Sequence, residues 1–307
     1  KEKNNMSELV TINTENYATM AKAMGLPISS SSKKSNSLNR FRVWHSPILN
    51  DESVLVKGGM YRLEVVGDTP TYYFAEKAKF RPFVQRLLYK RFVKNASAKA
   101  GDKQGDYIKT IMADNLNIDL KDEAGTFNCG KPTGYVEDYQ SLPEDTKNLI
   151  KATKRNRAVF GTVELINPVK AIDGKQVNDL GKFHVLWEID NKDAFKSMGA
   201  TFSKFAKMES LPLQYIINLD GTTGHKANNG QKWYTPNISL VTTEKIEISD
   251  EDHKTFGDFL DWIKIYNDGV VSRWDESVAQ RQDEISDEDA DTVEQFIDVE
   301  LEANEKQ

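Results

Sequence analysis

The chain has 307 residues, of which 38% are hydrophobic and 10% aromatic, enough to bury a core and too many for a wholly disordered chain. No apolar run approaches the roughly 18 residues that cross a bilayer, and "KEKNNMSELV" lacks a signal-peptide core, so we expect an intracellular protein without membrane contact. The only cysteine, Cys129, excludes an internal disulfide and a CxxC pair for zinc.

The net charge of -6 is distributed unevenly along the chain. Residues 282–307 contain 11 acidic residues and one lysine, whereas residues 1–241 contain 35 basic and 26 acidic residues. A basic body followed by an acidic tail is typical of proteins that bind nucleic acids. Acidic tails also occur on chaperones and scaffolding proteins, so the pattern leaves those classes open.

The N-terminal 40 residues predict a short helix and a linker. The helix is expected over residues 15–24, with Thr14 as its N-cap and Gly25 as its stop. The serine-rich run "PISSSSKKSNSLNR" has no apolar period and predicts a flexible linker. We assign residues 1–40 to an N-terminal arm with self-association as a candidate role.

Two predicted strands follow the linker. Tyr61, Leu63 and Val65 alternate in "MYRLEVVG", and "TYYFA" predicts a second strand after the turn "GDTP". Because successive side chains of a strand point to opposite faces, one of Tyr72 and Tyr73 must face outward as a candidate ring for base stacking.

The stretch "KFRPFVQRLLYKRF", residues 79–92, combines cations and rings without any acid. Its apolar residues recur at helical spacing, and Pro82 suits a first helical turn, so we predict a helix. The rings would hold this helix against the core while its cations face a ligand. The candidate ligand-facing side chains are Lys79, Arg81, Arg86, Tyr89, Lys90, Arg91 and Lys94. The next residues, 95–150, have weak patterning and predict an inserted subdomain or long loops.

The stretch "AVFGTVELINP" predicts the clearest strand of the chain, and the basic run "KATKRNR" leads into it. Val159, Val163 and Leu165 share one face, and Phe160 lies on the other. The preceding cations would neutralise phosphates while Phe160 stacks on a base. The alternative is a solvated basic loop with Phe160 buried by a neighbouring element. The candidate contacts are Lys151, Lys154, Arg155, Arg157 and Phe160.

Five further elements complete the sequence pattern. "FHVLWEI" alternates and predicts a strand with Trp187 in the core, which leaves Lys182 on the opposite face as a candidate contact. Residues 190–208 predict an amphipathic helix. "PLQYIINL" and "TPNISLVTT" predict strands joined by a glycine-rich loop, and "TFGDFLDWIKIY" predicts a helix. The loop carries the candidate contacts Lys232, Trp233 and Tyr234.

This order of elements predicts an α+β protein, with an OB-fold-like five-stranded β-barrel core, added helices and a disordered acidic C-terminal tail. The core is assigned to residues 41–272, with 95–150 as an insertion, and the partner-binding tail to 273–307. No nucleotide, metalloprotease or hydrolase motif is found, so we expect no catalysis, no cofactor and no metal site. The tail residues expected to contact partners are Asp287, Glu288, Asp289, Asp291, Phe296, Ile297, Val299 and Leu301.

The basic run entering a strand that ends in Asn-Pro, followed by a glycine turn and "GKFHVLWEIDNKDAFKSM", resembles the single-stranded DNA-binding proteins of T-even-type bacteriophages. Close matching covers residues 151–198, and the order of features matches over residues 40–307. The resemblance implies an OB-fold that coats single strands cooperatively and without sequence preference. It also implies phosphate contacts by Lys154 and Arg155 beside Phe160, a tail that contacts replication proteins, and a location in the host cytoplasm.

Three features depart from that family. Its zinc site uses one histidine and three cysteines, whereas only Cys129 is present, so a zinc subdomain is not expected. Val159 replaces the tyrosine usual beside the aromatic residue. The short basic cooperativity element has only a loose counterpart in residues 33–37.

We therefore expect a non-enzymatic protein that coats and protects single-stranded DNA in phage-type replication, recombination and repair. Its expected partners are single-stranded DNA, replication or recombination proteins that contact the tail, and further copies of itself on DNA. Two other classes stay open: a recombination protein that anneals single strands, and a structural or scaffolding protein that binds no nucleic acid.

Overall fold

The computed structural model describes residues 38–50, 53–94, 105–116, 120–124, 140, 141, 143, 144, 147, 148, 152–228, 230 and 232–284. The predicted N-terminal helix, most of the predicted linker, Cys129, Lys151 and the partner-binding residues 287–301 lie outside these residues.

Strands dominate the described part of the chain. The strands are β1 (Asn39–Val43), β2 (Ile48–Asn50), β3 (Ser53–Val56), β4 (Tyr61–Val65), β5 (Thr71–Ala75), β6 (Lys77–Lys94), β7 (Gly105–Lys109), β8 (Thr153–Ile166), β9 (Val169–Lys170), β10 (Lys182–Ile189), β11 (Ile216–Lys226) and β12 (Lys232–Val241). The helices are α1 (Lys192–Lys207), α2 (Asp250–Glu284) and a 3-10 turn (Pro212–Gln214).

One mixed sheet contains ten of these strands. Their order is β12-β11-β6-β8-β10-β1-β4-β5-β9, with β7 paired to β6 beyond the path, while β2 and β3 form a separate hairpin. Neighbouring strands of the large sheet are antiparallel except β1 and β10, which run parallel. This parallel pair positions the groove described below.

The large sheet has a helix on each face. On one face, Val159, Val163 and Leu165 pack in a core that includes Met198 of α1. On the other face, Phe160 packs with Phe259 of α2. The predicted alternation of β8 is thus confirmed, and both of its faces are buried.

The helix predicted over residues 79–92 is wrong, because these residues lie within the 18-residue strand β6. Covered on both faces, β6 has no polar side from which the two-residue period of a strand could be recognised. A bulge between Pro82 and Val84 shifts the alternation as well. Opposite this bulge lies Gly161, where a Cβ atom would come within 2.3 Å of the Arg81 carbonyl oxygen.

The predicted α+β class with an OB-fold-like five-stranded barrel is also contradicted, because the described residues are mostly strand and their ten-stranded sheet stays open. β12 does approach the end of β1, where the Tyr234 amide donates a hydrogen bond to His45 Nδ1 at 3.2 Å. Thr222 Oγ1 of the neighbouring β11 donates a hydrogen bond to the carbonyl of Gly59, just before β4, at 2.7 Å. Among the described residues no strand pairing joins β12 to β1 or β4, so side-chain contacts replace the ladder that would close a barrel.

The predicted helices near residues 190–208 and 255–266 are confirmed as α1 and as part of α2. α2 continues to Glu284, so the tail boundary predicted at residue 273 falls inside a helix. Neither helix in the described ranges is long and apolar enough to span a membrane.

Candidate nucleic-acid interface

A groove opens where the parallel strands β1 and β10 diverge at their carboxyl ends. Its volume is about 620 Å³. Divergence of neighbouring strands leaves such crevices in open sheets. β4, β6, β7, β12 and the start of α1 supply the remaining lining. The side chains that matter for its chemistry are Arg40, Arg42, Trp44, His45, Glu64, Lys90, Tyr107, Glu188, Asp190 and Tyr234.

Three lysines lie side by side at this end of the sheet. The registers place Lys109 of β7 opposite Lys90 of β6, and Lys90 opposite Lys154 of β8. Directly opposed like charges destabilise a sheet. The arrangement therefore needs counter-charges, either from the protein or from a ligand.

Two carboxylates supply part of this counter-charge. Lys90 Nζ lies 2.7 Å from Asp190 Oδ2, and Lys109 Nζ lies 2.7 Å from Glu188 Oε1. Arg40 adds a contact of 3.5 Å to Glu188. Although burial opposes ionisation of both acids, the neighbouring cations hold the pKa of Asp190 and of Glu188 below the ordinary values.

Arginines from β1 and β4 extend the basic surface. Arg40 and Arg42 lie on the face of β1 opposite the buried Phe41, since side chains alternate along the strand. Arg42 is exposed, and its register partner on β4 is Arg62. The guanidinium of Arg42 lies 5.6 Å from the centre of the Trp44 ring.

Arg62 is buried between two rings. Its guanidinium lies 4.7 Å from the centre of Trp44 and 4.9 Å from that of Tyr72, and it contacts Glu64 at 2.6 Å. Burial, and next the charge of Arg42, lower the pKa of Arg62. Arg62 thus fixes the Trp44 ring at the groove.

Tyr107 is an exposed ring of the groove, with 48% of its surface accessible. Lys90 Nζ lies 4.8 Å from its ring centre, and the edge of Phe92 supports it at 5.3 Å. An exposed ring can stack on the base of a nucleotide, and the lysine beside it can contact the phosphate.

Tyr234 is held in place by glycine backbone. A Cβ atom at Gly59 would lie 2.7 Å from the Tyr234 ring, and one at Gly58 or Gly224 would lie 3.1 or 3.2 Å from it. Only glycine permits this close approach. The ring is therefore pre-organised and keeps a partly exposed surface on the groove.

His45 links Tyr234 to β1. The two rings are nearly parallel, with centres 6.3 Å apart, and His45 Nδ1 accepts the Tyr234 amide hydrogen bond. Burial lowers the pKa of His45, Arg42 lowers it further, and Asp190 opposes them. Neutral His45 can accept this bond, whereas the protonated ring cannot.

Cations and carboxylates balance within the groove lining, and further cations adjoin it. The lining carries the cations Arg40, Arg42 and Lys90 and the carboxylates Glu64, Glu188 and Asp190, and the adjoining cations are Arg62, Lys109 and Lys154. The adjoining cations can add to the neutralisation of an anionic ligand.

Two rings predicted to face a ligand are buried instead. Phe160 has no exposed surface, and Phe259 and Trp262 of α2 cover it at 5.7 and 5.5 Å between ring centres. Tyr89 is 1% exposed and packs with Ala113. The alternative predicted for Phe160, burial by a neighbouring element, is the observed one.

Most of the predicted cations of β6 bind acids within the protein. Arg81 pairs with Asp252, Arg86 with Asp114 and Arg91 with Asp122. Lys79 and Lys182 both lie opposite Glu164 in the strand registers, away from the groove lining. The side chain of Lys94 lies outside the described residues. From the predicted set on β6, the groove receives Lys90.

The remaining predicted residues divide between the two faces of the sheet. The guanidinium groups of Arg155 and Arg157 lie 5.6 and 4.5 Å from the Phe195 ring centre of α1, on the face opposite Lys154. Tyr72 borders the groove through Arg62, whereas Tyr73 packs on the core.

On β12, Lys232 and Tyr234 share one face, and Trp233 stacks on His225 on the other.

Sequence reasoning missed the cations and rings that β1 and β7 bring to the groove. The missed residues are Arg40, Arg42, Trp44, His45, Tyr107 and Lys109. The alternation in "NRFRVW" was the available signal for β1, but its first residues were assigned to the linker.

Within the described ranges, no group of three or more His, Cys, Asp or Glu side chains is placed to hold a metal ion. Comparison with protein-family models, with curated proteins and with solved structures finds no match. The chemistry of the groove therefore carries the functional argument.

Asp190 supplies a test of the groove's electrostatics. Replacing it by asparagine removes one negative charge beside Lys90 and Lys154, so Asp190→Asn should strengthen binding of a single-stranded oligonucleotide about threefold at low salt. Fluorescence anisotropy of labelled oligo-dT measures this change. Asp268→Asn, on the exposed side of α2, is the matched control. Weaker binding by Asp190→Asn would instead make Asp190 a positioning residue for Lys90.

Proposed function

We propose that this protein binds single-stranded DNA in the groove, without sequence preference. One observation carries the proposal: the exposed or partly exposed rings of Trp44, Tyr107 and Tyr234 line the same groove as the cations Arg42 and Lys90. Rings stack on any base, and cations neutralise any phosphate, so this combination tolerates every sequence.

The rings favour a single strand over a duplex. In a duplex both faces of each base are already stacked, and the faces become available to protein rings only when the strand is open. Tyr107 and Tyr234 would therefore add affinity for single strands, while the cations would attract either form.

The biological role proposed with this activity is coating and protection of transient single strands in phage-type replication, recombination and repair. The resemblance around residues 151–198 and the acidic tail support this role. The tail would contact replication or recombination proteins through its acids and interspersed apolar residues.

The decisive experiment is an anisotropy titration of labelled oligo-dT and of duplex DNA of equal length, at several salt concentrations. Contacts of three cations with phosphates predict that log affinity for the single strand falls by about 2 for each log unit of salt. Binding that ignores salt, or that prefers the duplex, would contradict the proposal.

The other classes are separate outcomes of related measurements. Rings in electron micrographs with DNA would favour an annealing protein. Assembly without any binding, also after deletion of residues 282–307, would favour a scaffolding protein.

A further inference from the structure

The β11–β12 hairpin projects beyond the rest of the sheet. β11 pairs with β6 only from Ile217 to Asp220. Beyond this point its described residues pair only with β12, up to Lys226 opposite Lys232. Among the described residues, the outer part of the hairpin is thus a two-stranded ribbon with no third strand.

The ribbon continues one wall of the groove. Tyr234 and Pro236 line the groove and alternate with Trp233 and Thr235 on the other face. Side chains two positions apart share a face, so Lys232 and its partner Lys226 lie on the same face as Tyr234. The two lysines lie two residues beyond Tyr234 along this wall of the groove.

This lysine pair differs from the one formed by Lys90 and Lys109. Those two lysines have Asp190 and Glu188 as partners, whereas no carboxylate in the described part of the chain lies within ion-pair distance of Lys226 or Lys232. Both side chains are exposed. Directly opposed, unneutralised lysines oppose formation of the hairpin that carries them.

We infer that Lys226 and Lys232 together bind one phosphate of the DNA strand whose base stacks on Tyr234. Directly opposite residues have Cβ atoms about 4.5–5.5 Å apart, so both ammonium groups can reach one phosphate. The bound phosphate removes the repulsion between them. Tyr234, held by Gly58 and Gly59, fixes the base beside that phosphate. This inference rests on the proposed function and adds a phosphate subsite to the groove.

The test compares two double variants with the wild-type protein. Lys226→Ala with Lys232→Ala should weaken oligo-dT binding about tenfold and reduce the salt slope by about 0.7, the value for one phosphate contact. Lys254→Ala with Lys264→Ala removes the same charge from α2 and should leave the slope unchanged. Equal effects of the two double variants would overturn the inference.

A single variant separates binding from hairpin stability. Lys232→Glu places opposite charges across the ribbon, which stabilises the pair, so the melting temperature should stay the same or rise. Oligo-dT binding should nevertheless fall at least as far as in the double alanine variant. Unchanged binding would overturn the inference.

Two further outcomes separate the inference from the function on which it rests. An equal fold-loss on duplex DNA would overturn the coupling of this phosphate to Tyr234. Absence of binding by the wild-type protein would instead refute the proposed function itself.

Discussion

Alanine at both Tyr107 and Tyr234 should lower the affinity for oligo-dT by about 100-fold or more, because each ring–base stack contributes about 1–3 kcal/mol. Neither ring carries charge at neutral pH, so the slope of log affinity against log salt should stay at the wild-type value. Anisotropy titrations over a range of salt concentrations measure both quantities. A loss of affinity without a change in slope would separate stacking from electrostatics.

Two controls accompany this double variant. Phenylalanine at both positions keeps the rings and should keep most of the affinity. Trp233→Ala removes a ring from the opposite face of β12, where Trp233 stacks on His225 at 5.4 Å between ring centres, and should leave binding unchanged. If Trp233→Ala weakened binding more than Tyr234→Ala, the DNA would bind the Trp233 face of β12 and not the groove.

The elements predicted well from sequence are those in which polar residues recur on one face at the period of the element. In β10, Phe183, Val185 and Trp187 contact one core, whereas the polar residues His184 and Glu188 flank the buried Leu186 on the other face, so the two-residue period is visible. In α1, Met198 and Phe205 recur at helical spacing against exposed lysines. Polar residues that recur on one face leave a periodic pattern that the sequence displays directly.

β6 could not be predicted in this way. Ala78 and Phe80 pack in one core cluster, whereas Val84 and Leu88 pack in the other. A strand that is buried on both faces and shifted by a bulge has apolar residues at spacings that also fit a helix. The predicted five-stranded barrel therefore lacks β6, which pairs with β7, β8 and β11 in the structure.

The groove was predictable only in fragments. Lys90 and Tyr234 were proposed as nucleic-acid contacts from local composition, and both lie at the groove. Arg42 and Tyr107 lie far from them in sequence, and only the order of strands brings the four together. Composition identifies suitable residue types, but strand order and register decide which of them share a site.

Local composition also cannot show which cations are neutralised inside the protein. Arg81 belongs to the most basic stretch of the chain, yet its guanidinium binds both carboxylate oxygens of Asp252 at 2.7 and 2.9 Å. It also donates to the Leu213 carbonyl at 2.5 Å. A cation with three short internal bonds is a structural group that anchors the start of α2 to β6.

Replacing Asp252 by alanine should therefore destabilise the fold by about 3 kcal/mol, because it leaves the mostly buried Arg81 without its partner. The variant also loses the helix cap in which Asp252 accepts the Ser249 amide hydrogen bond at 2.9 Å. Thermal unfolding should show a melting temperature lower by about 10 °C. Asp258→Ala, at an exposed position of the same helix, is the matched control and should change it little.

The ion pair between Arg81 and Asp252 also predicts how the free energy of unfolding depends on pH. Although burial opposes its ionisation, Arg81 and Ser249 hold the pKa of Asp252 below its ordinary value. A lowered folded-state pKa stabilises the protein above the unfolded value of about 3.9, and this stabilisation is lost as the pH falls through the folded-state pKa. The difference in unfolding free energy between wild type and Asp252→Ala should therefore be largest near neutral pH and shrink below pH of about 4.

Asp252 lies outside the groove lining, so oligo-dT affinity measured well below both melting temperatures should be equal in the two proteins. If Asp252→Ala kept its stability but lost affinity for oligo-dT, Arg81 would contact the DNA and would not be the group that anchors α2.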